Sequence, residues 1–492
     1  MSIYLHGLET EERDAGNPRF VADIDSAIGF MVGTAPEASD TLYPYNQPRV
    51  MRGYNGYPEG LGKTGTLPLQ LDLVLRQAGK SSATIYFVRV EEDADPNVMM
   101  ANIIGDRAAR TGLHAISRIQ PEFGERPKLL AAPGFTSTRP TDSVASLTVS
   151  EAGAGYDPEN PPAVTVTRGS GDTTGFGAEI VPQVSQSDGS LTLVIVNGGQ
   201  AYTETPTITV DAPPSGGTQA LATATVGTLA NPVAMALSSL CNRYRACAFV
   251  TGPNTTNEAA VQYRQDFDTS RLMLIDPMGK WMWNGQIVSA PVEGAMMGLQ
   301  ARLDYQEGFW ESPSNRVLEG LLGTHRPIEF SASDRSAESQ YLNKNHVSTL
   351  VRDDLGGWKA MGVRSMRSDP LHVFWSVRRT HDVIIESIEL ASRVFLDKVF
   401  SEQNLIDVAE TVNQALRRWQ ARGATLGGRV WLDPTVNTAE SMSSGIIYVD
   451  YDAEGPAPME HIVFRFNRNV GYYDTLLANA ASEIERLSSA AA

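Results

Sequence analysis

An internal repeat at residues 141–230 constrains the fold of this 492-residue chain more than any other feature. Residues 147–156 align with 193–202 at an offset of 46, and 162–166 then align with 206–210. Short apolar runs alternate with Gly-rich turns, which is typical of β-strands. The segment has no Lys, one Arg and nine acidic residues. We predict two tandem all-β units of about 45 residues each, which form a domain inserted into a host domain.

Helices and apolar strands alternate on both sides of the insert. Strands are predicted at 83–90, 129–134, 246–251 and 272–277, and helices at 69–78, 233–244 and 292–304. Apolar strand interiors are typical of parallel strands that are buried on both faces. We therefore predict a central α/β domain at 101–345 with a mainly parallel sheet, preceded by a small N-terminal domain at 21–100.

The last third of the chain predicts an α+β domain at 346–470. Apolar residues at helical spacing predict a helix over 383–400, and a second helix follows Asn404, the candidate N-cap. Two antiparallel strands are predicted at 446–451 and 460–466. The residues from Gly471 to the end are weakly periodic and become rich in Ala and Ser. The fold class is thus α/β plus α+β multidomain, with an inserted all-β repeat domain.

The charge balance excludes two classes of partner. The chain has 40 basic and 57 acidic residues and a formal net charge of −17. Phosphate binding needs a surplus of Lys and Arg, so we expect neither nucleic acid nor an anionic membrane surface as a partner. No run of about 18 apolar residues occurs, so no membrane insertion is expected. Cys241 and Cys247 predict buried free thiols in a reducing compartment.

The sequence offers no recognisable chemical site. The seven His have no paired metal-ligand spacing, the two Cys are not Cys-x-x-Cys, and no Gly-x-Ser-x-Gly occurs. The run 60–64 (GLGKT) lacks the spacing of a phosphate-binding loop. We therefore expect no catalytic, cofactor or metal site and no enzymatic activity. A dispersed Ser, His and Asp arrangement is left open.

Four arginines form the most conspicuous basic cluster: Arg417, Arg418, Arg422 and Arg429. They lie at the end of the second C-terminal helix and just beyond it. Cations in a last turn favour the helix dipole, which is one interpretation. The other is a docking patch for an acidic partner, and the sequence leaves both open.

Several segments, taken in order, carry a family resemblance: 27–36 (AIGFMVGTAP), 126–135 (RPKLLAAPGF), 294–304 followed by 308–315 (GFWESPSN), 374–379 (FWSVRR) and 423–428 (GATLGG). Together they resemble the tail sheath proteins of contractile-tailed bacteriophages and of phage-derived R-type bacteriocin particles. The resemblance spans nearly the whole chain except 141–230. Whether the chain belongs to a phage or to a bacteriocin-like particle stays open.

The resemblance implies a mechanical function and a set of partners. Family members form six-subunit rings stacked helically around a tail tube, and they contract from a metastable state to drive the tube through the host envelope. It implies a central domain of subtilisin-like topology without a catalytic triad. The implied partners are further copies of the chain, the tail tube protein, and baseplate and tail terminator proteins. The implied location is the virion, after assembly in the host cytoplasm.

The resemblance also assigns roles to particular residues. Terminal arms of the family add strands to neighbouring subunits, so the resemblance implies extended terminal arms at residues 1–20 and 471–492. The candidate strand residues are Ile3, Tyr4, Leu5, Val470, Tyr472 and Tyr473. The C-terminal domain is proximal to the tube in the family, so the four arginines are candidates for docking onto an acidic tube. The insert is expected to point outward.

Two alternatives come from other classes of protein. One is a hydrolase built on the α/β core, with 141–230 as a carbohydrate-binding module. A nucleophile within hydrogen-bond reach of a His would favour it. The other is a non-contractile virion structural protein.

Overall fold

The computed structural model describes residues 21–79, 84–214, 216–354 and 356–490. The chain divides into two compact units that meet in sequence at Pro458 and Met459. The strands, in chain order, are β1 (Ile28–Thr34), β2 (Arg49–Arg52), β3 (Thr84–Val90), β4 (Leu129–Ala131), β5 (Ser143–Glu151), β6 (Val164–Thr167), β7 (Phe176–Val184), β8 (Leu191–Gln200), β9 (Thr207–Val210), β10 (Leu221–Gly227), β11 (Cys247–Thr251), β12 (Leu272–Ile275), β13 (Gly279–Trp283), β14 (Gln286–Ala290), β15 (Arg316–Val317), β16 (Leu321–Thr324), β17 (Thr349–Arg352), β18 (Trp358–Met361), β19 (Gly428–Trp431) and β20 (Asp450–Ala453). The α-helices are α1 (Leu67–Ala78), α2 (Pro96–Ile104), α3 (Ile119–Phe123), α4 (Pro232–Tyr244), α5 (Asn257–Gln265), α6 (Glu293–Gln306), α7 (Glu338–Lys344), α8 (Trp375–Ser392), α9 (Glu402–Ala421), α10 (Ala439–Ser443) and α11 (Tyr472–Ala490).

A six-stranded sheet in the order β12-β11-β4-β1-β3-β2 forms the centre of the first unit. Its strands pair in parallel except β2, which pairs antiparallel with β3 at the edge. Alternate side chains of a strand point to opposite faces. On β1, Phe30 and Val32 pack in one hydrophobic cluster and Met31 packs in another. The mainly parallel sheet with both faces covered is confirmed.

The helices cover the two faces of this sheet. α1 and α6 contribute to the cluster that contains Met31, and α2, α4 and α5 contribute to the cluster on the opposite face. The helix predictions at 69–78, 233–244 and 292–304 differ from α1, α4 and α6 by at most two residues at each end. Long, strongly periodic segments carry their own structural signal, which explains this agreement.

The structure does not form the small domain predicted at 21–100. β1 pairs in parallel with both β3 and β4, so residues of 21–100 supply half the strands of the central sheet. The boundary predicted at 346 is also wrong, because β17 and β18 pair with each other and β18 pairs with β15. Strand pairing between distant segments leaves no mark in composition, so the sequence pattern alone did not reveal it.

The insert folds as one module rather than as two tandem units. Repeat one supplies β5, β6 and β7, and repeat two supplies β8, β9 and β10. The first strand of each repeat pairs with the last strand of the other, as β5 with β10 and β8 with β7. The middle strands β6 and β9 pair with each other. Side chains from both repeats share one hydrophobic cluster.

Equivalent residues make equivalent bonds across the two repeats. The Tyr156 hydroxyl of repeat one accepts from the Ala220 amide of repeat two at 3.0 Å, and the Tyr202 hydroxyl of repeat two accepts from the Ala178 amide of repeat one at 3.2 Å. Gly153 and Gly199 occupy the same place beside these tyrosines, at φ +67 and +63. A Cβ at either would lie within 2.7 Å of a carbonyl oxygen in the other repeat, so only Gly fits.

The chain enters and leaves the insert side by side. The Leu229 amide donates to the Pro140 carbonyl at 2.9 Å, next to the beginning of α4. Asn231 caps α4 and its amide group donates to Phe135 and Thr138 at 3.0 and 2.7 Å. These hydrogen bonds join the base of the insert to the beginning of α4 and to the segment that follows β4.

Two predictions for the C-terminal third are corrected. The first helix, α8, begins at Trp375 and ends at Ser392, and α9 has Ser401 rather than Asn404 as its N-cap, with the Ser401 hydroxyl accepting from the Asn404 amide. β20 overlaps the strand predicted at 446–451 but pairs with β19. Residues 460–466 form no strand. They are exposed, and no strand of the described chain pairs with them.

Candidate functional site

The four candidate arginines follow the amphipathic helix α9. Val412, Ala415, Leu416 and Trp419 bury one face of α9 in a cluster with Val383, Ile384 and Ile388 of α8. Arg418 stands in the last turn of α9, directly after Arg417. Arg422 is the C-cap residue, and Arg429 lies on β19. The structure therefore brings the four residues to one end of α9 and the strand that follows.

Asp23 receives two of these arginines. Its Oδ1 accepts from Arg418 Nη2 at 2.7 Å and from the indole Nε1 of Trp419 at 2.8 Å. Its Oδ2 accepts from Arg422 Nη1. Asp23 is about four-fifths buried, so this pair of arginines joins the N-terminal segment to α9 in a poorly hydrated place. Half of the cluster thus has an internal structural role.

The other two arginines are largely exposed. The side chain of Arg417 is 67% exposed and stands 3.7 Å from Glu410. The side chain of Arg429 is 76% exposed, and its Nε donates to Asp452 at 3.0 Å. Exposed ion pairs of this kind contribute little to folding and are free to exchange partners. Arg417 and Arg429 are therefore the members of the cluster available to an external surface.

The structure describes the arm candidates near the C-terminus but not those near the N-terminus. Ile3, Tyr4 and Leu5 lie outside the described residues. Val470, Tyr472 and Tyr473 are each more than 60% exposed. Tyr472 begins α11, so the strand predicted over 470–473 is a helix start instead.

A neighbouring segment has the strand-like pattern that 470–473 lacks. Ile462, Phe464 and Phe466 alternate in sequence along residues 460–466, and Phe464 and Phe466 are each 91% exposed. Alternation places these three side chains on one face of an extended chain. Exposed apolar faces of this kind mark interaction sites. The sequence shows this alternation, but it was interpreted as an internal strand.

Buried charges on α8 form a feature that the sequence reasoning missed. Asp382 accepts from Arg271 at 3.0 Å and from Arg378 at 2.6 Å, and Arg379 donates to Asp304 at 2.9 Å. These pairs tie α8 to the α/β part of the first unit. The only signal in the sequence is the i, i+4 spacing of Arg378 and Asp382, which does not distinguish a buried pair from an exposed one.

One Ser–His contact bears on the hydrolase alternative. Ser289 Oγ lies 3.0 Å from His325 Nδ1, and both residues are exposed on the sheet of β13, β14 and β16. In the part of the chain that the structure describes, no carboxylate hydrogen-bonds to His325. A catalytic pair needs a third group that orients the base and a cleft that holds the substrate. The Ser289–His325 pair has neither, so it does not support a hydrolase.

The remaining chemical candidates are occupied or buried. Burial raises the pKa of Cys247 to about 11 and raises the pKa of Cys241 well above its ordinary value. In the 60–64 run, the Lys63 amide donates to the Glu37 carboxylate at 2.9 Å, where a phosphate would need that amide free. Within the described ranges, no three His, Cys, Asp or Glu could hold a metal ion. No described helix is long and apolar enough to cross a membrane.

The family model described as the phage tail sheath C-terminal domain matches residues 367–469. The putative prophage major tail sheath protein of Pseudomonas aeruginosa strain UCBPP-PA14 is 33% identical over 236 residues, which cover 47% of this chain and 60% of that protein. The tail sheath protein of Escherichia phage P2 is 24% identical, over 98% of this chain and 100% of that protein. The chain is homologous to phage tail sheath proteins.

Solved sheath structures share the fold of this tail sheath homologue. The PVC sheath complex of an extracellular contractile injection system, in its contracted state, aligns with a TM-score of 0.59 over 96% of this chain and 99% of that chain, at 13% identity. The anti-feeding prophage helical sheath in its contracted state aligns with a TM-score of 0.58 over 95% and 100%, at 16% identity. The mixed α/β multidomain fold is therefore that of contractile sheaths.

The residue range that the family model matches contains the candidate surfaces. The matched range 367–469 contains α8, α9, β19 and β20, together with all four arginines and the run 460–466. The tail sheath protein of Burkholderia phage BcepMu extends the similarity to 96% of this chain, at 27% identity.

Proposed function

We propose that this chain is the structural subunit of a contractile tail sheath. It polymerises as stacked six-subunit rings around a tail tube, and it contracts from a metastable extended state to drive the tube through the host envelope. The observation that carries the proposal is the similarity to the phage P2 tail sheath protein along the full length of both chains. The chain has no enzymatic role in this proposal.

The proposed mechanism is a change of packing between subunits rather than chemistry. A sheath that shortens without a nucleotide must store free energy in bistable interfaces during assembly. The Lys63 amide of the phosphate-loop look-alike is already bonded to Glu37, which fits a subunit that uses no nucleotide. The baseplate supplies the signal, and the tail terminator closes the far end of the array.

The proposed link between subunits is strand addition by the terminal arms. Added strands supply backbone hydrogen bonds, and alternate side chains fill pockets on the acceptor sheet. The exposed apolar face of Ile462, Phe464 and Phe466 supports a donor strand at 460–466. Val470 then lies between this strand and α11, and Tyr472 and Tyr473 begin α11. Ile3, Tyr4 and Leu5 stay the candidate donor at the other terminus.

The double variant Phe464→Ser/Phe466→Ser tests the arm. We expect it to raise the critical concentration for polymerisation at least about tenfold, because each buried aromatic contributes roughly 1.5–3 kcal/mol. Val463→Ser is the matched control, since Val463 is also exposed and would lie on the opposite face of an added strand. Polymerisation of the double variant at the wild-type concentration would contradict strand donation by this segment.

The tube-facing surface is proposed to include Arg417 and Arg429. Their exposed guanidinium groups suit an acidic tube. Arg418 and Arg422 instead form ion pairs with Asp23, which fix the position of the end of α9. Arg417→Glu/Arg429→Glu is expected to weaken polymerisation on isolated tubes, while the exposed Arg168→Glu in the insert should not. Unchanged assembly of the double variant on tubes would remove this assignment.

Three finer features belong to the same proposal. The central domain has subtilisin-like topology, supported by five parallel strands whose order reverses between β1 and β4. The insert points outward as a passive β-module. The subunit assembles in the host cytoplasm and ends in the virion.

A further inference from the structure

A basic cleft lies on the helical face that contains α4. It has a volume of about 590 Å³ and is lined by Arg107, Arg110, His114, Ser117, Gln120, Pro121, Arg243 and Tyr244. Three arginines in one cleft are unusual for a chain with a net charge of −17. The sequence did not reveal the cleft, because Arg243 is more than 130 positions away from the other two.

The three guanidinium groups are not neutralised by any residue that the structure describes. Among the described residues, none of Arg107, Arg110 and Arg243 forms an ion pair, and Arg243 lies over the Tyr244 ring at 5.3 Å. Asp106 is next to Arg107 in sequence, but its Oδ1 accepts from the Ala109 amide at 2.6 Å. Burial lowers the pKa of His114, and Arg107 and Arg243 lower it further against the opposing effect of Asp106. The cleft thus carries three positive charges at pH 7.

The chemistry of the cleft suits carboxylates on a protein surface. Guanidinium groups bind carboxylates through paired hydrogen bonds. All three arginines are exposed, and no charged side chain at the cleft is deeply buried. A site for a small molecule would enclose its ligand and fix it with buried polar groups. An open cleft with exposed arginines fits an acidic protein segment instead.

One segment of this chain has the complementary charge. Residues 91–95 (EEDAD) place four carboxylates in five positions. Glu91, Glu92 and Asp93 are exposed and form no ion pair with any described residue. This acidic run directly follows the carboxyl end of β3.

The acidic run and the Arg243 end of the cleft lie at opposite ends of the strands in the central sheet. Arg243 and Tyr244 come just before the amino end of β11, and the Tyr244 carbonyl accepts from Lys128 Nζ, beside the amino end of β4, at 3.0 Å. β1 joins β3 and β4 in parallel register, and β4 joins β11. The carboxyl end of β3 is therefore distant from the amino end of β11, which separates the acidic run from Arg243 within one chain.

We propose that the basic cleft of one subunit binds the acidic run 91–95 of a second copy of this chain. Because the two surfaces differ, the contact is head-to-tail and can repeat from copy to copy, as in a ring or a helical array. The proposal rests on the proposed function for its setting, but it names a contact that can be measured separately. Local charge complementarity here opposes the general repulsion between two acidic chains.

The experiment uses two charge-reversed full-length chains. The cleft variant carries R107E, R110E and R243E, and the run variant carries E91K, E92K and D93K. Each alone places like charges in the contact, so each should self-associate at least about tenfold more weakly than the wild type. Mixed in equal amounts, the reversed, acidic cleft of one variant faces the reversed, basic run of the other. The unreversed cleft of the run variant likewise faces the unreversed run of the cleft variant. The mixture should therefore recover complexes in sedimentation velocity that neither variant forms.

Three controls distinguish loss of the contact from misfolding, from a general charge effect and from failure of the proposed function. R335E reverses an exposed arginine outside the cleft and should associate as the wild type does. Circular dichroism and thermal unfolding of each variant should match the wild type, since only exposed side chains are changed. Failure of the wild type to form cylinders would contradict the proposed function, whereas the mixing result tests the contact itself.

Three results would overturn the proposed contact. One is self-association of both variants at the wild-type level. Another is recovery by a single chain carrying all six substitutions but not by the mixture, which would indicate a contact within one chain. A third is binding of inorganic tripolyphosphate in the cleft without complex formation in the mixture, which would assign the cleft to a small anion.

Discussion

Asp23 connects parts of the chain that lie 395 positions apart in sequence. It accepts hydrogen bonds from Arg418, Arg422 and Trp419, so two of the four clustered arginines have a partner within the chain. The sequence identified the cluster because four cations in an acidic chain stand out. It could not tell which of them are paired, since a single Asp near the N-terminus carries no signal of a distant partner.

Removal of the shared carboxylate has a predictable cost. Asp23→Ala leaves the Trp419 indole and the largely buried Arg418 without their acceptor, and we expect a loss of about 1–3 kcal/mol in the free energy of unfolding. Thermal or urea unfolding of the first unit measures it. Asp452→Ala is the control, because its pair with Arg429 is more than half exposed and should change stability by less than about 0.5 kcal/mol. Equal losses in the two variants would contradict the structural role of Asp23.

At the scale of elements, the repeat predicted the strands of the insert but not how they pair. The alignment of 147–156 with 193–202 correctly predicted strands and the Gly-rich turns that join them. It suggested two separate units because neighbouring strands usually pair. The exchange of β5 and β8 between repeats depends on the Tyr156 and Tyr202 bonds and on Gly153 and Gly199, whose partners lie in the other copy.

The exchanged strands predict that the two repeats unfold together. Tyr156→Phe removes the acceptor of the Ala220 amide at the beginning of β10, so hydrogen exchange should rise in β10 and also in β5, which pairs with it. A loss of about 1–3 kcal/mol is expected for the unpaired, buried amide. Tyr202→Phe should give the mirrored pattern in β7 and β8.

Independent units would give a different result. Exchange in the Tyr156→Phe variant would then rise only within residues 143–184. That outcome would contradict the exchanged strands.

At the scale of the whole molecule, the sequence predicted the central sheet better than its borders. Apolar strands with helical neighbours carry the signal of a parallel sheet, and β3, β11 and β12 lie where the pattern indicates. Strand pairs cross the predicted domain borders at 100 and 346, because β1 pairs with β4 and β18 pairs with β15. The run 460–466 was interpreted as an internal strand because alternation specifies an extended face but not the molecule that covers it.

Deletion of the insert tests its independence from the body. Leu229 and Pro140 are hydrogen-bonded neighbours, so a short Gly linker can replace 141–228 without moving the flanking strands. We expect the shortened chain to fold, to unfold at a midpoint within a few degrees of the wild type, and to polymerise and contract. Negative-stain microscopy before and after a contraction trigger measures this. Loss of contraction in a folded, shortened chain would contradict a peripheral insert.

The central claim is that this chain builds a contractile sheath, and electron microscopy of the purified full-length protein tests it most directly. A concentration series should give long hollow cylinders of six-fold symmetry, with subunits in the fold described above. Discrete monomers at every concentration, with and without isolated tail tubes, would contradict the account.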